Sequence, residues 1–307
     1  MGQEFIDLAR RGLNEPWRYL ISFLVIVFGW LFLGSLFSGL VLVAGLAIFH
    51  PSVLNQAGSV PLDQLDPLVT FVGANAQFVL LLVSVLLAVA IIHRRPVRSL
   101  ITTRPSFEWG RAWLGFWLWL VLAGLGSLVE ALLYPGRYQV TLNVVELLKF
   151  LPFALVLTPV QTTAEELFVR GYLLQGVGLL VRVPIISAVL TSLFFMSLHA
   201  ANPEMGLSPL LMALGYFGFG LLASVCTLRD NRMELALGVH ASNNLFSWVI
   251  VNYTASPLAS PSLFTSKLEP VYSTVSFVAM AVAFYLVVFY GLDRLAGAKA
   301  RKEARSA

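Results

Sequence analysis

Apolar residues fill most of this chain in long unbroken runs, and the polar positions fall between the runs rather than alternating with them. A helix needs roughly 20 apolar residues to cross the hydrocarbon core of a bilayer. Eight runs approach that length: 19–47, 68–92, 112–134, 145–168, 184–200, 207–228, 235–254 and 271–291. Open sheet edges cannot survive in lipid, where no water satisfies the backbone, and no barrel-like alternation is visible. The pattern predicts an all-α, polytopic membrane helical bundle of about eight transmembrane helices, the first long enough to tilt.

Composition agrees. Of 307 residues, 58% are hydrophobic and 12% charged, against about a quarter charged in soluble domains. A soluble globule is excluded, and no nucleic-acid partner is expected. The first apolar run is too long for a signal-peptide core and lacks a small-residue cleavage pattern. Met1-Gly2 hints at myristoylation, but Ile6 stands where that pattern needs Ser or Thr. Cys226 is alone in an apolar run, so it forms no internal disulfide and reads as a buried small residue.

Charge orients the chain. With the N-terminus inside, the inner segments hold sixteen Lys and Arg, including Arg10, Arg11, Arg94, Arg95, Arg98, Arg229 and Arg232; the outer loops hold Arg137 and Lys267. By the positive-inside rule both termini are cytoplasmic in a plasma or inner membrane. The basic tail over 292–307 is expected along anionic headgroups. Residues 255–270, rich in Ser and Pro, read as ordinary connection. Glu130, Glu146, His50 and His93 lie at span ends, where snorkelling reaches water. Gly215, Gly218, Gly220 and Ser224 read as a close-packing stripe, beside which Phe217 or Phe219 can line a groove.

Five ionisable or polar residues within spans have no such excuse: Glu165, Glu166, Arg170, His199 and His240, with Asn244 beside them. Ionisable groups in a span face partners or a wet cavity. Glu166 and Arg170 stand four apart and share a helix face, so they can pair. Glu165 is rotated by about 100° and lacks a local cation. Its carboxyl is the one poised to exchange a proton. The turn Val181–Pro184 makes a hairpin in which Glu165 and His199 lie equally far from Arg182, hence at one depth if both arms are equally helical. Phe195 precedes His199 by four and can wall it. His240 and Asn244 are also four apart and offer two converging donors, the elements of an oxyanion hole.

Ser242 and Ser197 are rotated off the histidine faces, and neither HExxH nor GxSxG occurs. A Glu, a His and a His/Asn donor pair point to direct attack by water on a peptide bond. No cofactor is needed for that. The alternative is a zinc site of Glu165, His199 and His240, with water as fourth ligand. Two other readings use the same buried set: a proton-coupled carrier, or a non-catalytic membrane partner locked by helix-helix hydrogen bonds.

With these residues in hand, the chain resembles the CPBP family, the CAAX proteases and bacteriocin-processing enzymes. The motifs EExxxR, FxxxH and HxxxN stand as EELFVR (Glu165, Glu166, Arg170), FMSLH (Phe195, His199) and HASNN (His240, Asn244). The resemblance covers about residues 145–250. It implies a CAAX-type intramembrane endopeptidase, of glutamate type and earlier labelled metalloprotease, acting on peptide or protein substrates that enter from the membrane or the cytoplasm. Glu165, His199, His240 and Asn244 carry over as catalytic, and Glu166, Arg170 and Phe195 as supporting. The chain then divides into an N-terminal cytoplasmic segment with three membrane helices (1–144), a catalytic membrane core (145–254), and an outer loop, last helix and basic tail (255–307).

Overall fold

The computed structural model describes residues 2–54 and 65–293; the basic tail expected to lie on headgroups falls outside them apart from its first two residues. A short helix, α1 (Gln3–Asp7), precedes the long helices α2 (Pro16–Phe49), α3 (Pro67–Ile92), α4 (Trp109–Leu133) and α5 (Val144–Val181). They are followed by α6 (Pro184–Ser197), α7 (Pro209–Asp230), α8 (Glu234–Leu245) and α9 (Pro270–Leu292). The chain is a helical membrane bundle. Among the described residues, α2, α3, α4, α5, α7 and α9 are long and apolar enough to cross a membrane, and α6 is a shorter apolar helix. Leu20, Leu24, Phe28, Leu31 and Leu40 of α2 are all exposed, a stripe that only lipid would solvate comfortably.

The expected span 235–254 differs most. Residues 234–245 form α8, a wide helical turn carries it to Ile250, and Val251–Tyr253 is a strand. Its polar residues explain this: His240 and Ser242 are buried inside the protein, so α8 is wrapped by other helices rather than by lipid.

Local sequence sets the helix starts. Prolines 16, 67, 184, 209 and 270 open five helices, where a missing N–H removes no bond. Asp66 accepts from the N–H groups of Leu68 and Val69, and Glu269 from those of Val271 and Tyr272. Two glycines let α4 and α8 touch backbone to backbone. A Cβ at Gly238 would lie 2.0 Å from the Ala112 carbonyl oxygen, and one at Gly115 would lie 2.5 Å from that of Leu235. The stripe read on α7 is only partly packing. Gly218 and Gly220 face Phe277 and Ser192, but nothing lies within 4 Å of a Cβ at Gly215.

The bundle has two unlike ends. At one, Arg111 pairs with Asp230 (3.0 Å) and Asp293 (2.8 Å), Arg232 bonds Asp230, and Met233 N–H donates to Ile101 O. We call this the basic end. At the other, strands β1 (Tyr138–Val140), β2 (Val251–Tyr253) and β3 (Phe264–Ser266) form a sheet of order β1-β3-β2, antiparallel then parallel. The segment read as ordinary connection therefore supplies the central strand.

Two further expectations change. Glu130 does not snorkel: it is buried, receiving Arg137 Nη1 at 2.7 Å and the Tyr138 hydroxyl at 2.6 Å, because the chain folds back over the end of α4. His93 is buried too, donating through Nδ1 to Leu13 O at 2.8 Å. Glu146 stays exposed and pairs with Lys149.

Candidate active site

Helix α5 brings both glutamates to the middle of the bundle. It contains Pro152 and Pro159, each removing one backbone hydrogen bond. The Thr162 hydroxyl donates back to Thr158 O, re-using an acceptor within this stretch. Just beyond Glu166 the helix widens into a π-helical segment, Leu167–Leu173, of a kind frequent at functional sites. The two hairpin arms are therefore not equally helical: α6 is regular, but ends at Ser197, and His199 lies in the turn after it.

Glu166 and Arg170 are both fully buried, and Arg170 Nη1 donates to Glu166 Oε1 at 2.9 Å. Arg170 Nη2 donates to Gly220 O, and its guanidinium lies 4.5 Å over the Phe195 ring. The same Glu166 oxygen receives His240 Nδ1 at 2.8 Å. A carboxylate can only accept, so Nδ1 carries the proton and the imidazole orientation is fixed. Sequence reasoning paired Glu166 with Arg170 alone; its hold on His240 links two motifs 74 residues apart.

Glu165 turns the other way, onto a cavity of about 640 Å³. His199, His240, Asn244, Phe195 and Phe219 line the same cavity. Phe217 is not among its lining residues. His240 Nε2 lies 3.5 Å from Glu165 Oε2, so the carboxyl that seemed to lack a local cation faces an imidazole nitrogen. Gln161, one turn before Glu165, donates to its other oxygen at 3.4 Å. His199 bonds through Nδ1 to Phe195 O at 2.9 Å and is stacked on Tyr216 with ring centroids 4.1 Å apart.

Asn244 is oriented by a chain of side chains. Trp119 Nε1 donates to Asn243 Oδ1 at 3.2 Å, and Asn243 Nδ2 donates to Asn244 Oδ1 at 3.2 Å. With its oxygen so occupied, Asn244 keeps its amide N–H groups as donors. Ser242 is buried and does not line the cavity, and the Ser197 hydroxyl donates to Phe194 O.

Sequence reasoning missed Gln161, Trp119, Asn202, Glu204, Tyr216 and Asn243. Asn202 and the Tyr216 hydroxyl both donate to Glu204 Oε1, so the ring stacked on His199 is itself held. Gln161 stands four before Glu165 and Asn243 next to Asn244, signals that spacing offered. Nothing local marked Trp119, Glu204 or Tyr216.

Among the described residues, no group of three His, Cys, Asp or Glu is arranged to hold a metal ion. His240 is drawn to Glu166 through one nitrogen and to Glu165 through the other.

The family whose model matches this chain, over residues 147–246, is described as type II CAAX prenyl endopeptidase Rce1-like. The matched stretch contains all three motifs. The chain is also 32% identical over 276 residues to an uncharacterized protein, YyaK, of Bacillus subtilis (strain 168), covering 89% of this chain and 91% of that one. No solved structure matches it. The chain belongs to the Rce1-like family, a family of membrane proteases.

Proposed function

Starting from that membership, we propose that this protein is an intramembrane endopeptidase that hydrolyses a peptide bond with a water activated by Glu165. The observation that carries the reading is the divided pair of glutamates. Glu166 is sealed against Arg170, while Glu165 lies on a cavity it shares with His199, His240 and Asn244. A substrate carbonyl enters that cavity. Glu165 takes one proton from water, and the water oxygen adds to the carbonyl carbon.

The carbonyl oxygen becomes an oxyanion facing Asn244 Nδ2 and the Nε2 edge of His240, whose ring Glu166 holds through Nδ1. Collapse of the intermediate breaks the C–N bond. The proton held by Glu165 passes to the leaving amine, and His199 orients the water and shares that proton. No metal takes part in this scheme.

We also place both termini on the cytoplasmic side of a plasma or inner membrane, on the strength of the basic end. The test compares peptides released from a membrane proteome by purified protein and by its Glu165→Gln variant. New C-termini made only by the unaltered protein, and resistant to chelator, support the reading. Identical peptide sets would refute it, and chelator-sensitive cleavage would refute the metal-free scheme.

A further inference from the structure

The two cavity histidines are held in different ways. His240 stands on α8, and Glu166 grips its Nδ1. His199 stands in the turn after α6, and its backbone N–H donates to Met196 O at 3.1 Å. Its ring makes one hydrogen bond among the described residues, from Nδ1 to Phe195 O at 2.9 Å. A carbonyl only accepts, so Nδ1 carries the proton, and in the neutral ring Nε2 offers a lone pair.

One hydrogen bond fixes a point and not a plane, for the ring can still turn about the line from Nδ1 to the carbonyl. Stacking removes that freedom. The Phe195 ring lies 4.6 Å from the imidazole at 45°, and the Tyr216 ring lies 4.1 Å away at 24°. Tyr216 is the nearer and the more parallel, so the plane of His199 follows it.

Tyr216 is in turn fixed at its far end. Its hydroxyl donates to Glu204 Oε1, and its oxygen accepts from Asn202 Nδ2 at 2.8 Å. The same Asn202 amide donates to Glu204 Oε1 at 3.0 Å. A carboxylate only accepts and an amide nitrogen has two protons to give, so the three side chains close a ring of bonds with one set of directions. The Asn202 backbone N–H donates to His199 O at 3.1 Å, which ties the network to the histidine's own backbone. Asn202, Glu204, Tyr216 and His199 all line the cavity. Glu204 is buried, and its Oε2 has no hydrogen-bond partner among the described residues. Burying a carboxylate is costly, and the bonds that this one makes run to the residues that hold His199.

We infer that Glu204 is a positioning residue for the hydrolysis: acting through Tyr216, it fixes the plane of His199 and so aims Nε2 at the water that Glu165 activates. The inference rests on the protease reading for what His199 does, and on the contacts alone for how His199 is held. Misplacing a reacting group by about 1 Å costs about 100-fold in rate, so a ring left free to turn is a poor partner for that water.

The test reads the imidazole directly. Protein carrying isotope-labelled histidine is placed in detergent micelles, and proton–nitrogen correlation spectra show which ring nitrogen is protonated; His199→Gln identifies the signal. The unaltered protein should show His199 as one tautomer with the proton on Nδ1. Glu204→Ala unties Tyr216 and should let His199 exchange between tautomers, with the His240 signal and the melting temperature little changed. Glu204→Gln keeps an acceptor oxygen for both donors and should restore the single tautomer. Tyr216→Phe removes only the hydroxyl; it should repeat the Glu204→Ala result and serves if that variant fails to fold. Peptide release from a membrane proteome should fall about 10- to 100-fold in Glu204→Ala and Tyr216→Phe and stay within about threefold in Glu204→Gln. An unchanged His199 tautomer in both loosened variants overturns the inference. So does a change that reaches His240 equally, which marks general loosening, or full peptide release by Glu204→Ala. If the unaltered protein releases no peptide, the protease reading falls, and the spectra still decide how His199 is held.

Discussion

The floor and the wall of the cavity are built from adjacent residues of one helix, yet they have opposite characters. On the floor, Glu166 is fully buried and takes both Arg170 and His240 on one oxygen. On the wall, Glu165 faces open volume, with Gln161 at 3.4 Å and His240 Nε2 at 3.5 Å. A rotation of about 100° between neighbours is enough to separate them. The difference teaches that an ion pair in a membrane protein need not be the chemistry. Here it holds the chemistry in place, because the group that Glu166 fixes, His240, is the one that faces Glu165.

The largest effect is expected from erasing the charge on the wall. Glu165→Gln should lower peptide cleavage by about 1000-fold or more, in line with loss of a general base and its bound water. Its melting temperature should stay within a few degrees of the unaltered protein, since both contacts of Glu165 are long. A variant that unfolds instead would show that wall and floor do the same job.

Erasing the floor reverses the pattern. Glu166→Gln strands Arg170 in a fully buried place and loosens His240. Breaking one side of a buried pair costs about 3–5 kcal/mol. The loss should appear first as low yield and early thermal unfolding in detergent, and cleavage should fall with it. A stable, inactive Glu166→Gln protein would instead assign Glu166 a direct part in the reaction.

Helix α8 supplies a milder test. Gly238 is two residues before His240, and a Cβ there would press within 2.0 Å of the Ala112 carbonyl. Backbone cannot yield as a side chain can, so Gly238→Ala should cost about 1–3 kcal/mol and shift the His240 side of the floor. Gly215→Ala, which meets open space on the wall side, should leave the melting temperature unchanged. Equal effects at the two glycines would mean that the floor is no tighter than the wall.

The sequence pattern revealed the helices because crossing a bilayer imposes length and apolarity together. The expected runs 68–92 and 271–291 match Pro67–Ile92 and Pro270–Leu292 almost residue for residue. The three motifs were legible for a related reason: a carboxylate or imidazole in such a run is too costly to be incidental. Other features depended on long-range contacts. Glu130 looked free to snorkel because the strand that covers it, with Tyr138, begins eight residues later. Tyr216 looked like one more aromatic in an apolar helix, and only the fold stacks it on His199. The sheet was hidden because each strand is three residues long and its central strand is the last in sequence. Which nitrogen of His240 meets which glutamate is a matter of rotation between α5 and α8, and no spacing within either helix encodes it.

The smallest effect comes from a second buried histidine, which sharpens the contrast by being held without carboxylates. His93 lies just past the end of α3, bonded to the Leu13 carbonyl through Nδ1 and to the Tyr172 hydroxyl through Nε2 at 3.2 Å. Burial pushes its pKa below the ordinary value near 6.5, and the nearby Arg95 and Arg18 charges act in the same direction. The native protein therefore stays neutral at His93 over a range where the unfolded chain has already taken up a proton. In that window the unfolded state binds more protons, so stability rises with pH and is lost as pH falls from the ordinary histidine range toward the lowered value. Melting temperature should thus drop on acidification from pH 7.5 to 5.5, and His93→Gln should drop less over the same interval. Other groups titrate in both proteins, but the difference between the two curves isolates His93. An identical drop would mean that His93 is charged at no cost in the native state.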